Sequence, residues 1–292
     1  MMEALCAITP PKLGWKIVAV DNASTDNTKE ILERYVLRLP LTIITCLERG
    51  KNNALNSALT NIEGDLVVFT DDDILPEKNW LIEFAEGAER NPNASIFGGS
   101  IIPHWPFTPP KWIIDHVPLG LTYGATSSDL NETEIDPGLI WGANMMVRSH
   151  IFQSGYKFNE NVGPNSGNYI MGSETEFNRR LEKDEYKFCF IPKAKVSHII
   201  REEQLLRKWI LRRAFRFGKN MYIQNNKRDL EKFSTILGVP RWMISKLIIK
   251  SLESFFRGSL FNSTQSFEAT WDVWYLAGYI NQALISRKKV RN

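Results

Sequence analysis

The chain has 292 residues, 43 % hydrophobic and 24 % charged, which allows one large domain or one domain with an appended piece. Its three cysteines, Cys6, Cys46 and Cys189, have neither metal-ligand spacing nor the numbers of a disulfide framework, and they read as free thiols of a reducing compartment. No stretch reaches the roughly 18 uncharged apolar residues of a membrane span, and "MMEALCAITPPK" lacks the parts of a signal peptide, so the expected location is cytoplasmic.

The net charge of +3 hides an asymmetry. Residues 1–200 hold 18 Lys and Arg against 26 Asp and Glu, whereas residues 201–292 hold 18 against 7. An acidic body of 1–200 and a basic section of 201–292 imply two surfaces with different tasks.

In chain order, "KIVAV" (16–20) is a short apolar strand ending at Asp21, and "STDNTKEILERYVLRL" follows with apolar residues at helical spacing and Ser24 or Thr25 as cap. "LTIIT" (41–45) is the next strand, "NNALNSALTNI" a helix, "DLVVFT" (65–70) a strand and "EKNWLIEFAEGAER" a helix. This cadence predicts an α/β domain with a mainly parallel sheet flanked by helices. "HWPFTPPKW" reads as a Pro-aromatic loop, and 120–137 as a weakly patterned mobile loop. "GLIWGANMMV" (138–147) reads as a strand and "SETEFNRRLE" as a helix start, while "YKFCFIP" and "AKVSHII" read as two strands. From Glu202 onward the pattern is helical, with "LLRKWILRRAFRFGKNMYI" setting arginines against Leu205, Trp209 and Ile210.

Ligands of such sheets bind beyond the carboxyl ends of strands. Asp21 stands at one such end, and Asp71, Asp72 and Asp73 at another. Adjacent carboxylates repel, and a divalent cation bridging to phosphates would offset that repulsion; a solvated acidic turn is the plainer alternative. "RGKNNALN" puts Lys51 behind a glycine at a helix start, which suits phosphate, although it is not a Walker loop. Glu174 and Glu176 open a helix, where the dipole favours acids and where a general base could also stand. His198 lies on a short strand, as ligand or as structural residue.

Taken in order, "VDNASTDNT", "GKNNALN", "FTDDDILPEKNWL", "WGANMMVRS", "GSETEFNRRL" and "IPKAKVSH" resemble the family 2 glycosyltransferases of GT-A fold, over roughly residues 3–220. "LRRAFRFGKN" resembles the arginine-aromatic-glycine helix found downstream in that family. The resemblance implies a GT-A domain over 1–200 and a helical C-terminal extension over 201–292. It assigns Asp21 to the nucleotide base, Lys51 to the nucleotide or its phosphates, and Asp72 to ribose or sugar. Asp71 and Asp73 match the outer acids of the D-x-D motif, and His198 completes the metal shell around Mn2+ or Mg2+. Gly142, Ala143 and Asn144 match the loop near donor and acceptor. Glu174 aligns with the catalytic base, with Glu176 as the other candidate, because Ser173-Glu174-Thr175-Glu176 stands where Glu-Asp-Thr-Glu is usual. The family also begins with a strand and turn ahead of the "VDNAS" strand. "MEALCAITPPKLGW" resembles the end of the helix that follows them, so unpaired sheet edges are expected here.

The implied activity is inverting transfer from a nucleotide-sugar, a UDP-sugar above others, to a glycan or lipid-linked acceptor in polysaccharide synthesis. The basic section 201–292, with Trp and Phe interleaved, is expected either to pack on the catalytic domain with its arginines solvated or to make peripheral contact with the inner face of a membrane. Nucleic acid is not expected, since no binding motif supports it. The rivals are a nucleotidyltransferase on a similar scaffold, which would release pyrophosphate rather than UDP, and an inactive homologue kept for binding.

Overall fold

The computed structural model describes residues 1–163, 171–224, 234–236, 239–260 and 265–291, with backbone alone at 257–260, 265 and 288–291. In chain order the elements are α1 (Met2–Cys6), β1 (Ile17–Asp21), α2 (Thr28–Glu33), β2 (Leu41–Thr45), α3 (Lys51–Ala58), β3 (Leu66–Thr70), β4 (Ile74–Pro76), α4 (Trp80–Arg90), β5 (Ile96–His104), α5 (Lys111–His116) and α6 (Leu119–Tyr123). There follow β6 (Asn144–Arg148), α7 (His150–Gln153), α8 (Ser173–Lys183), β7 (Phe188–Ile199), α9 (Arg207–Gln224), β8 (Thr235–Ile236), β9 (Val239–Pro240), α10 (Arg241–Leu260) and α11 (Gln265–Arg291). They divide into two compact units, one over 1–104, 123–169 and 173–199, the other over 105–122, 170–172 and 200–292. The second unit thus includes 105–122 besides the basic C-terminal section.

In the first unit β1 and β2 pair in parallel, as their strand–helix–strand order predicts, from Ile17 opposite Leu41 to Asp21 opposite Thr45. The larger sheet departs from that expectation. Its order is β3-β6-β5-β7-β4, and only β5 with β7 is parallel among its described pairs. The mainly parallel sheet is therefore corrected to a mixed one. An apolar run records burial but not direction, and β6 and β7, late in the chain, insert on the two sides of β5. Among the described residues β1 ladders to β2 alone and β3 to β6 alone, so each has one edge without a strand.

The two strands expected near 190 are one strand, β7, bent by a bulge. Gly99 pairs with Ile191 and the next residue, Ser100, with Lys195. A Cβ at Gly99 would strike the Ala194 carbonyl and the Asn144 side chain, so the sheet closes there only on glycine. The 138–147 strand is shorter than its apolar run. Pro137–Leu139 is a 3-10 turn, Trp141-Gly142-Ala143 is a loop, and pairing starts at Asn144. The 120–137 stretch is tied down rather than mobile: Tyr123 is buried, Thr126 bridges to Ile101, and Glu134 bridges to Cys189. The helix expected from Ser24 forms only over Thr28–Glu33, with Asn27 before it and turns after it. Two apolar clusters hold the unit, one around Ile74, Trp80, Phe84, Phe97 and Val196, the other around Ile96, Val147, Phe158, Phe177 and Leu181. Each such side chain contributes roughly 1.5–3 kcal/mol of burial.

In the second unit α9 and α11 cross antiparallel at backbone contact. A Cβ at Gly218 would strike the Tyr275 carbonyl, and one at Gly278 the Phe215 carbonyl. Met243 and Leu247 of α10 pack with Leu276, Tyr279 and Ala283 of α11. Trp112 of α5 lies 4.9 Å from Phe267, with the Arg207 guanidinium 5.1 Å from the Trp112 ring. Among the described residues no helix is long and apolar enough to cross a membrane.

Candidate active site

The acid triplet sits where β3 ends and β4 begins, and its three carboxylates go to three surroundings. Lys51, the first residue of α3, donates from Nζ to Asp71 Oδ1 at 2.6 Å. Asp72 is exposed. Asp73 Oδ2 lies 3.4 Å from His198 Nε2. The ladder places that pair, because Ile74 stands opposite His198 and the Ile199 N–H donates to the Asp73 carbonyl. Repulsion within the triplet is thus relieved by fanning apart as well as by charge.

His198 is fixed from its other side. Nδ1 lies 2.6 Å from the Tyr123 carbonyl, which only accepts, so the proton is on Nδ1 and Nε2 faces Asp73. Burial works against charging this ring. The Asp73 carboxylate, the Tyr123 carbonyl and Asp71 outweigh it and hold the imidazole above the usual histidine range.

The two residues give an oxygen and a nitrogen donor side by side. That set suits a Mn2+ or Mg2+ ion whose remaining positions go to phosphate oxygens and water. Among the described residues no three His, Cys, Asp or Glu side chains gather as a metal cage. Asp71, expected as a third ligand, is turned to Lys51 instead.

The second half of the site is set by asparagines that sequence reasoning missed. Asn52 donates to the carbonyls of Asn159 (2.6 Å) and Val162 (2.9 Å) and accepts from the Ser173 hydroxyl. Asn56, one turn on, donates to the Phe158 carbonyl and accepts the Phe158 N–H, each at 2.9 Å. Lys51 and Glu174 each adjoin one end of this latch, Lys51 beside Asn52 and Glu174 beside Ser173. The i, i+4 spacing of Asn52 and Asn56 was the available signal. Asn22 does the same at β1: it donates to the Cys46 and Glu48 carbonyls and accepts the Gly50 N–H at 2.7 Å.

Lys51, Thr70, Asp71, Gly142, Ser173 and Glu174 line one cleft over Leu55, Phe69, Met145 and Phe158. A side chain at Gly142 would meet the Glu174 carboxyl group at 3.6–3.7 Å. Thr70 Oγ1 is buried there with no partner among the described residues. The Glu174 carboxylate makes no hydrogen bond or ion pair to another described residue. Glu176 differs: Arg180, four residues on, grips it with Nε at 2.8 Å and a terminal nitrogen at 3.2 Å.

Two predicted donor residues do not line this cleft. Asn144 is fully buried, accepts from Trp80 Nε1 (2.8 Å), and donates to the Ser100 (2.9 Å) and Ala194 (2.8 Å) carbonyls. Its side chain is corrected from the donor site to the core, since all its bonds are made inside the fold. Asp21, buried at the end of β1, accepts the Ser24 N–H at 3.1 Å and so closes its own turn, outside the lining of the cleft.

The pattern of the family described as Glycosyl transferase family 2 matches residues 1–155. The glucosyl-dolichyl phosphate glucuronosyltransferase of Haloferax volcanii is 22 % identical over 52 % of this chain, a match spanning 48 % of that protein's length. Among solved structures, the mannosyltransferase PcManGT from Pyrobaculum calidifontis, in complex with GDP-Man and Mn2+, superposes with a TM-score of 0.60 at 17 % identity, covering 96 % of this chain and 81 % of that one. Staphylococcus aureus TarS 1-349 in complex with UDP-GlcNAc does so with a TM-score of 0.53 at 14 % identity, covering 97 % and 87 %. At these identities the likeness is one of fold, and the fold is that of the GT-A transferases.

Proposed function

Because the chain belongs to glycosyl transferase family 2, we propose that it is an inverting, metal-assisted transferase moving a sugar from a nucleotide-sugar to a hydroxyl of a glycan or lipid-linked acceptor. UDP-sugars are the favoured donors, and Glu174 is the base. The observation that carries this reading is the contrast within α8. Glu174 borders the cleft unpaired among the described residues, while Glu176 is neutralised by Arg180.

Inversion needs one base, on the face of the sugar away from the leaving diphosphate. Glu174 takes the proton of the acceptor hydroxyl as its oxygen attacks the anomeric carbon. The bond to the diphosphate breaks with its electron pair on the nucleotide. Gly142, with no side chain, leaves room beside the carboxylate for the reacting groups. Lys51 holds Asp71 and stands ready to meet phosphate oxygens. Asp73 and His198 would hold the divalent ion, which when bound stabilises charge on the leaving phosphate. Asp72 and Asp21 remain assigned to the sugar and the base of the donor.

Glu174→Gln is the test. UDP release should fall by about two to four orders of magnitude while UDP binding in Mn2+ persists. An active Glu174→Gln alongside an inactive Glu176→Gln would transfer the role to Glu176. A second reading, donor binding without turnover, is favoured by the separation of β1–β2 from the larger sheet. Wild-type protein that binds UDP and releases none from any UDP-sugar would support it.

A further inference from the structure

Helix α10 is apolar on two opposite faces. Met243 and Leu247 on one side pack against α11. On the other side stand Trp242 (48 % exposed), Ile248 (57 %), Ile249 (61 %), Leu252 (52 %), Phe255 (70 %) and Phe256 (54 %). At 3.6 residues per turn these six fall within about 140° of the circumference, centred opposite the packed face. Scattered exposed apolar residues need no explanation, but six large ones on one helix face form a patch of the kind that marks a binding surface.

The charges select the partner. Arg241 and Lys246 are exposed on the same helix. Lys250 is turned inward to Glu253 (2.8 Å) and Asp272 (3.8 Å), so the one acid of α10 is already matched. The surrounding section, 201–292, holds 18 basic against 7 acidic residues. A second copy docked on this face would bring cations against cations, whereas an anionic bilayer brings phosphates to the cations and acyl chains to the rings.

We infer that the outer face of α10 seats the protein in the plane of an anionic membrane surface, with Trp242, Ile249, Leu252, Phe255 and Phe256 in the acyl boundary. No described helix can cross the bilayer, so the contact is interfacial. The inference deepens the transferase reading and rests on it only for purpose: a lipid-linked acceptor would be met at that surface.

The test is flotation of the full chain with vesicles of phosphatidylcholine alone or mixed with phosphatidylglycerol, at low and high salt. Wild-type protein should float with the mixed vesicles at low salt and less at high salt. Trp242→Ser/Phe255→Ser/Phe256→Ser should bind about tenfold or more weakly, with unchanged circular dichroism and UDP affinity. Equal flotation of wild type and the triple variant would overturn the inference, as would no flotation of wild type. Concentration-dependent self-association lost in the variant would overturn it too, in favour of a second copy. Flotation by a chain that binds no nucleotide would remove the transferase reading and leave the membrane face standing.

Discussion

The cleft of the first unit and the outer face of α10 each hold groups in surroundings that folding alone does not favour, but they do so in opposite ways. In the cleft a carboxylate is kept without a cationic partner among the described residues, although Lys51 and Arg180 lie in the same region. On α10 large apolar side chains are kept in water although the opposite face of the helix is packed. Neither arrangement lowers the energy of the isolated chain. The comparison teaches that a group left unsatisfied points to a function more sharply than a group well matched. Asp71, Glu176 and Asn144 were equally conspicuous as residue types, and all three have partners inside the fold.

The largest effect expected from breaking this contrast is at Glu174. Glu174→Gln keeps size and removes basicity, so turnover should drop about 10²- to 10⁴-fold with little change in stability. Glu176→Gln removes an i, i+4 pair on a helix surface, worth under about 1 kcal/mol, and should leave turnover near wild type. Asn144→Ala comes next. It strips Trp80 Nε1 of its acceptor and two carbonyls of a donor in the dry core, and should lower unfolding free energy by on the order of 3 kcal/mol in urea titrations. UDP affinity of the folded protein should be unchanged. A variant that stayed stable but lost UDP binding would return Asn144 to the donor site.

Sequence reasoning reached the residues of the cleft because strand ends and helix starts are written locally: "DLVVFT" must end where Asp71 begins, and "SETEF" must open a helix. It could not reach direction or partnership. That β6 enters between β3 and β5 is decided by packing between segments far apart in the chain, which no local pattern records. The bulge in β7 was hidden because Pro192 looked like a strand end rather than a bend opposite Gly99. Asn144 misled because a polar residue beside a glycine loop resembles a ligand contact until its three core bonds are seen. The outer face of α10 was legible only as basic and aromatic composition, since which side α11 covers is a tertiary fact.

A middle-sized effect tests the rigidity under α10. Gly218→Ala would gain about 1 kcal/mol of helix propensity at an open helical site. Here its Cβ meets the Tyr275 carbonyl, and overpacking of this kind costs about 1–3 kcal/mol, so the net sign should be destabilising. Gly278→Ala should behave alike against Phe215. A higher melting temperature in either variant would mean that α9 and α11 are not in backbone contact.

The smallest effect on stability is expected at the outer face of α10, and it is the one that separates the two halves of the comparison. A buried Phe or Trp changed to Ser would cost several kcal/mol through the lost transfer energy and the cavity left behind. Phe255 and Phe256 are more than half exposed and Trp242 nearly so, so most of that surface is already in water. The triple serine variant should therefore lower unfolding free energy by no more than about 1.5 kcal/mol in urea titrations, about 0.5 for each side chain. The exposed rings also give the free protein an incentive to aggregate, and their loss should raise its solubility. A loss of more than about 2 kcal/mol would show that the chain itself covers this face in solution. Glu174 would then stand alone as a group held against its own folding interest.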